Sequence, residues 1–235
     1  MIKAVFFDID NTLLSFDGYV RQCMEEGFAR FGLKKYEPWM FNVFTRENNA
    51  LWQALERGEI AFADIKARRW NRIFAALDID FNGTVFEAYF RNGLNESAIP
   101  MPGSRETLER LRGKCILCTA SNGPFEQQIN RLKLAGICDI FDYYFISEEM
   151  GVSKPSEEFF SVCFERLNRG RPETVLPEEM LMVGDSLSSD IAGGRNAGML
   201  TCYFDPAAKG LPEGMQTDLV VNSLPEVADY VLSRS

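Results

Sequence analysis

The chain contains no histidine. That absence excludes Ser–His–Asp triads, Cys–His pairs, phosphohistidine chemistry and zinc sites built on imidazole. Any catalysis has to rest on carboxylates, lysine, hydroxyls, backbone dipoles or a hard metal ion. An excess of positive charge is also missing: 25 Lys and Arg stand against 34 Asp and Glu, a net charge of −9. A nucleic-acid polymer usually demands a basic face and is not an expected partner. A small anion remains one, because a site can be locally positive inside an acidic protein, above all around a metal ion. No apolar run is long enough to span a membrane, so no membrane partner is expected. Residues 1–7 are apolar but lack the basic start and small-residue cleavage site of a secretion signal, which makes the cytoplasm the expected location. No fixed period marks a repeat array.

Cysteine is present but poorly placed for chemistry. Cys115 and Cys118 have C-x-x-C spacing inside the apolar run Cys115-Ile116-Leu117-Cys118-Thr119-Ala120, which reads as a buried strand. A redox pair would sit at a helix start, and no second C-x-x-C follows to complete a zinc site. The six cysteines are expected to be reduced and structural.

What is there suits a sizeable core: 235 residues, 46% of them hydrophobic. Residues 2–7 are apolar on both faces, the pattern of a parallel strand covered by helices on each side. From residue 16 to 97 helical periodicity takes over. Helices are expected over 18–31, 38–55, 62–77 and 84–94, with breaks at Gly32, Gly58 and Asn82-Gly83. After Pro100-Met101-Pro102-Gly103 strands and helices alternate: strands over 114–120, 143–146, 180–183 and 200–204, helices over 104–112, 125–134, 155–167 and 187–197. Ser104 is placed to cap the first of those helices, and Pro155 to start the third. The fold class is α/β, a doubly wound parallel sheet of Rossmann-like type, with residues 1–15 and 98–235 as the core and 16–97 as an inserted helical domain.

The polar residues of interest follow the strands at their C-terminal ends, where ligands of open α/β sheets bind. Asp8 and Asp10 leave the first strand together in Phe6-Phe7-Asp8-Ile9-Asp10-Asn11-Thr12, so one carboxylate can act as nucleophile while the other manages protons. A lone D-x-D is common in loops; D-x-D-x-T directly after an apolar strand is far more specific. Ser121-Asn122-Gly123 offers a hydroxyl and backbone N–H groups to a phosphate oxygen, although alone it is only a turn. Lys154, beside Pro155, can balance clustered negative charge, although a single lysine is usually a solvated one. Asp185 ends a strand, and Asp190 lies in the first turn of the next helix, where the helix dipole alone would explain it. Asp8, Asp10 and Asp185 at one edge would repel unless a cation joins them, and oxygen ligands suit Mg²⁺.

These four elements, in this order, resemble the haloacid dehalogenase (HAD) superfamily, with residues 16–97 where that superfamily places a C1-type helical cap. Further phrases, Leu51-Trp52 before Gly58-Glu59-Ile60 and Ile146-Ser147-Glu148-Glu149-Met150-Gly151-Val152-Ser153-Lys154-Pro155, look like its bacterial pyrimidine 5′-nucleotidase subgroup. The resemblance implies Asp8 as the nucleophile that forms an aspartyl-phosphate and binds the metal. Asp10 is then the general acid/base, with its backbone carbonyl on the metal. Ser121 binds phosphate, with Thr119 as the fallback because the family often has Thr there. Lys154 balances charge, Asp185 is the third metal ligand, and Asp190 orients water or Lys154. The dehalogenase branch lacks the second Asp, so Asp10 favours phosphate chemistry. The expected reaction is Mg²⁺-dependent hydrolysis of a small phosphorylated metabolite, a nucleoside 5′-monophosphate first and phosphoglycolate or a sugar phosphate second. A dehalogenase, a phosphomutase and a non-catalytic binding module are the remaining readings. Asn122 and Trp52 are the further expected substrate contacts, with Phe16, Tyr19, Arg46, Arg68, Arg69 and Arg72 as other candidates in the insert. The chain is expected to be a monomer or a homodimer.

Overall fold

The computed structural model describes residues 1–234. The chain forms two compact units, one from Met1–Ser15 together with the chain from Ala98 onward, the other from Phe16–Ser97. The elements in order are β1 (Ala4–Phe7), α1 (Phe16–Arg30), α2 (Met40–Glu56), α3 (Phe62–Ala76), α4 (Gly83–Asn95), α5 (Ser104–Leu111), β2 (Ile116–Ser121), α6 (Phe125–Leu134), β3 (Tyr143–Ile146), α7 (Ser147–Met150), α8 (Glu157–Asn168), β4 (Met180–Gly184), a π-helical turn (Leu187–Ala192), α9 (Gly193–Asn196), β5 (Leu200–Phe204), β6 (Leu219–Val221) and α10 (Leu224–Leu232).

The first unit is built on a six-stranded sheet of order β3-β2-β1-β4-β5-β6. All pairings are parallel. Side chains alternate across the pleat. Val5 and Phe7 therefore join Leu117, Leu181 and Val183 in one layer, covered by Leu108 and Leu111 of α5 and Val227 and Val231 of α10. Ala4 and Phe6 face the other way with Met180 and Met182, under Phe159, Phe160 and Leu167 of α8. Cys118 and Cys163 are packed in that second layer, and all six cysteines are free thiols. Burial pushes Cys118 well above the ordinary thiol range, so it is inert rather than nucleophilic.

Register fixes what lies at the sheet edge. Phe7 is level with Thr119 of β2 and Val183 of β4, so Asp8, Ala120 and Gly184 form the next row. Strand order reverses its direction of growth between β1 and β4, which makes this row the topological switch point of the sheet.

Three local expectations are corrected. Gly103, with φ of 78°, precedes α5, and the Ser104 hydroxyl is buried without a hydrogen-bond partner instead of capping the helix. The helix after Pro155 begins at Glu157, because Ser156 takes extended backbone and accepts the N–H of Phe159. The segment after Asp185 opens as a π-helical turn, in which the N–H of both Asp190 and Ile191 donate to the Ser186 carbonyl at 3.1 Å. Such turns recur at functional sites.

The second unit is four helices around an aromatic core of Phe28, Phe44, Trp70, Phe74, Phe86 and Phe90. Trp70 and Phe86 are closest, with ring centroids 4.3 Å apart. Arg69 is buried among them. It forms two hydrogen bonds to Glu87, at 2.6 and 3.1 Å, and its guanidinium lies 4.4 Å from the centre of the Phe90 ring. Arg69 is thus engaged in holding α3 to α4. Arg46 and Arg72 pair with Glu47, and Arg68 with Asp64. Phe16 packs on Phe44 and Phe90, and Tyr19 donates to the Phe90 carbonyl. No described helix is long and apolar enough to cross a membrane.

Candidate active site

Asp8 follows β1 directly, and its N–H donates to the Val183 carbonyl at 2.9 Å, which extends the β1–β4 ladder by one residue. That bond aims the carboxylate out of the sheet edge. Lys154 meets it there from the loop between α7 and α8. The ammonium donates to Asp8 Oδ1 at 2.8 Å, to Asp190 Oδ1 at 2.5 Å and to the Ala120 carbonyl at 2.5 Å. An ammonium has three donors, so this lysine is saturated and fixed, and it is 1% exposed. Its backbone is held as tightly. Asn122 Oδ1 accepts the Lys154 N–H at 2.9 Å, and Asn122 Nδ2 donates to the Lys154 carbonyl at 2.8 Å. Asn122, expected on the substrate, is placed as the brace of Lys154. Of the backbone N–H groups in Ser121-Asn122-Gly123, that of Gly123 donates to Ser147 Oγ, and at the start of α6 that of Phe125 donates to Glu148.

Burial pushes the Asp8 carboxyl up to about 7 against the pull of Lys154, with Asp190 and Asp10 adding to the rise. Burial works to lower Lys154 as well, yet Asp190 and Asp8 outweigh it and hold the ammonium above its ordinary value. The lysine is therefore charged throughout the physiological range, and Asp8 is the group whose ionisation depends on further positive charge.

Asp185, Asp190 and Asp8 each place a carboxylate oxygen within 4.8 Å of the other two. Asp190 already accepts from Lys154 through Oδ1 and from the Ser186 N–H, at 3.1 Å, through Oδ2. A cation would accordingly draw on Asp8 and Asp185. An all-oxygen donor set suits a hard divalent ion. Gly184 makes the arrangement possible, since a Cβ there would lie 2.1 Å from Asp190 Oδ2. Gly184→Ala is expected to displace Asp190 and cost about 1–3 kcal/mol of stability, as overpacking does. Urea unfolding together with turnover measures this; a variant with unaltered stability and rate would show that Asp190 has room to move.

Asp10 takes a separate position. Its Oδ1 accepts from Arg131 at 2.6 Å and its Oδ2 from Gln128 at 2.8 Å. The Asp10 side chain is 31% exposed, so one side of the carboxylate faces outward. Gln128 also donates to Ser121 Oγ at 2.9 Å. Ser121, the last residue of β2, therefore sits in the same group as Asp10, whereas the hydroxyl of Thr119 is buried in the sheet without a hydrogen-bond partner. Trp52 belongs to the helical unit, where its ring lies 5.8 Å from that of Phe62.

Sequence reasoning missed Arg131 and Gln128. A Gln and an Arg three apart on an amphipathic helix read as a solvated face. Here that face is turned inward, and the two residues are 2% and 1% exposed.

A parallel sheet with carboxylates and a buried lysine at its switch point defines an α/β enzyme that works at the C-terminal sheet edge. Comparison with known proteins gives the family. The model of the haloacid dehalogenase-like hydrolases matches residues 2–198, and the chain belongs to that family. It is 32% identical over 223 residues to pyrimidine 5′-nucleotidase YjjG of Escherichia coli (strain K12), which covers 95% of each chain. It is 29% identical over 205 residues to pyrimidine 5′-nucleotidase PynA of Streptococcus pneumoniae (strain ATCC BAA-255 / R6), covering 87% of this chain and 84% of that one. The HAD-hydrolase YfnB from Bacillus subtilis, solved with magnesium, superposes with a TM-score of 0.87 at 26% identity, over 98% of each chain.

Proposed function

We propose that this hydrolase is a Mg²⁺-dependent phosphate monoesterase acting through Asp8 on nucleoside 5′-monophosphates, pyrimidine nucleotides first. The observation that carries the reading is the separate electrostatic setting of two carboxylates two residues apart. Asp8 is tied to Lys154, while Asp10 has its own cation in Arg131. Lys154, joined by a divalent ion, would keep Asp8 ionised as the nucleophile, while the partly exposed Asp10 can exchange protons on its outward side.

In the first step an Asp8 oxygen attacks phosphorus, the bond from phosphorus to the ester oxygen breaks, and Asp10 gives that oxygen its proton. In the second, water attacks the phosphorus of the aspartyl-phosphate and passes a proton to Asp10, while the bond from phosphorus to the Asp8 oxygen breaks and frees the carboxylate. Inorganic phosphate leaves, and Asp8 and Asp10 return to their starting states. Ser121 donates its hydroxyl to a phosphoryl oxygen. Lys154 holds Asp8 in line and balances the charge that gathers there; Asp190 and Asn122 keep Lys154 in place. Mg²⁺ held by Asp8, Asp185 and the Asp10 carbonyl would neutralise phosphoryl charge, which is most of what phosphoryl transfer requires. A halide leaves without a proton, so an acid such as Asp10 has work to do with an alkoxide and none with a halide. The helical unit serves as the specificity cap in this reading, with Trp52 offering a planar surface to a base.

The test is kcat/KM in Mg²⁺ buffer across pyrimidine and purine 5′-monophosphates, sugar phosphates, phosphoglycolate and a 2-haloacid. Pyrimidine nucleotides should lead by about 10-fold or more, the range over which pockets discriminate. Equal rates would indicate a broad scavenger, an isomerised product a mutase, and halide release without phosphatase activity would end the proposal.

A further inference from the structure

A buried cation is costly unless paired, and the first unit buries two at one sheet edge. Lys154 answers Asp8 and Asp190. Arg131 answers Asp10, which the reaction also needs in a neutral form. The geometry between Arg131, Gln128, Asp10 and Ser121 goes beyond neutralisation. Arg131 Nη1 donates both to Asp10 Oδ1, at 2.6 Å, and to Gln128 Oε1, at 2.8 Å. With its oxygen fixed on Arg131, the Gln128 amide has one orientation, and its nitrogen faces Asp10 Oδ2 and Ser121 Oγ at 2.8 and 2.9 Å. A primary amide nitrogen has two hydrogens, so it supplies both bonds at once.

Two consequences follow. Ser121 Oγ receives a hydrogen bond from Gln128, so its own proton is directed elsewhere, and a hydroxyl that accepts one bond donates a stronger one. The Asp10 carboxylate is gripped on one side at both oxygens. Each carboxylate oxygen keeps further lone-pair capacity, and the outward side of the group is where a proton can be carried. The proton donor and the phosphate-binding hydroxyl are held by one side-chain amide.

We propose that Arg131 and Gln128 are positioning residues that lock Asp10 and Ser121 into a single register, so that proton delivery to the leaving oxygen and hydrogen bonding to the phosphoryl group occur in one geometry. The inference rests on the reading of Asp10 as the proton donor. Neither positioning residue exchanges a proton itself: Asp10 transfers one to the ester oxygen as the bond to phosphorus breaks, and recovers one from water in the second half.

The experiment compares kcat/KM for a nucleoside 5′-monophosphate, whose alkoxide needs a proton, with that for p-nitrophenyl phosphate, whose phenolate leaves without one. It is run on the wild type, Asp10→Asn, Gln128→Met and Arg131→Met. The quotient of the two values is independent of the folded fraction of a preparation. Asp10→Asn should lose about 10²-fold or more on the alkyl ester, the ordinary share of general acid catalysis, and far less on the aryl ester. Gln128→Met and Arg131→Met should shift the quotient in the same direction, by about 10-fold, since misplacing a catalytic group is nearly as harmful as removing it. Gln128→Met should also raise KM for both esters, because Ser121 loses the bond that aims its proton, whereas Arg131→Met should raise it less. Equal losses on both esters in the two variants, with Asp10→Asn still selective, would reduce the pair to scaffolding and overturn the proposal. Failure of both variants to fold would do the same. If one folds, its quotient decides. An unselective Asp10→Asn would instead refute the role given to Asp10, and the clamp with it.

Discussion

Asp8→Asn is expected to lower kcat/KM for phosphate release by about 10⁴-fold or more, the scale on which losing a covalent nucleophile acts. The amide has the shape of the carboxylate and can still accept from Lys154 through its oxygen. It cannot form an acyl-phosphate that water then cleaves. The fold should survive and gain in one respect. Asp8 is 8% exposed, and its carboxyl is pushed from an ordinary 3.8 to about 7, chiefly by burial. Between those two values the folded chain binds more protons at this position than the unfolded chain. The slope of stability against pH is set by protons bound unfolded minus protons bound folded, and it is negative here. The contribution of Asp8 is therefore fully present below about pH 4 and is lost as pH rises through about 7 in buffer without divalent ions. Exposed carboxylates held low by a partner, such as Glu179 beside Lys3, run the opposite way. The wild-type curve alone mixes the two signs, and the difference between wild-type and Asp8→Asn melting curves isolates Asp8. The variant should gain on the wild type from pH 4 to 7, and Mg²⁺ should close the gap by stabilising the ionised wild-type carboxylate. Full activity in pure variant protein would remove Asp8 from the chemistry; parallel melting curves would show that its burial carries no penalty.

Such a penalty in the resting protein is what a functional site looks like when local stability is set against chemistry. It also explains which parts of the molecule were legible in the sequence. Parallel strands buried on both faces are continuous apolar runs, so β1 to β5 could be read, and with them the row of residues at their C-terminal ends. Asp8, Lys154, Asp185 and Asp190 converge because strand order brings them there. The strand β6 has three residues and follows a stretch rich in proline and glycine, too short to leave a period. The roles of Asn122, Gln128 and Arg131 depend on where α6 and the loop before α8 settle against the sheet. That placement is tertiary, and a polar residue on a helix gives no local sign that its face will turn inward. Gly184 is a similar case. Its requirement comes from Asp190, which lies across a turn and meets it only after folding.

Lys154→Met is expected to cost about 3–5 kcal/mol of folding stability, because it leaves buried charge without its partner. Lys154 carries the positive charge in this part of the site, donating to Asp8, Asp190 and the Ala120 carbonyl. After its removal the carboxylate of Asp190, a residue 0% exposed, keeps only the Ser186 N–H of its described hydrogen bonds, and Asp8 faces it without the ammonium between. Lys154→Arg should not rescue, since a planar guanidinium cannot send three donors to acceptors that converge on one point. Mg²⁺ should stabilise Lys154→Met more than it stabilises the wild type, because Asp8 and Asp185 then attract the ion without a competing ammonium, and tighter binding to the folded state raises stability by linkage. The ion cannot replace the lysine at Asp190, so the rescue stays partial. At a pH well above 7, adding Asp8→Asn to Lys154→Met should recover part of the loss, since an ionised Asp8 no longer faces Asp190 there; the double-mutant cycle reads that coupling directly. Turnover should fall by about 10²-fold in Lys154→Met and stay low even where Mg²⁺ restores folding, because the ion repairs charge balance without holding Asp8 in line. Urea unfolding with and without Mg²⁺, with kcat/KM on the same samples, separates the two effects. A Lys154→Met protein within about 1 kcal/mol of the wild type, the level of an ordinary surface pair, would mean that the fold does not depend on Lys154 as the partner of Asp190.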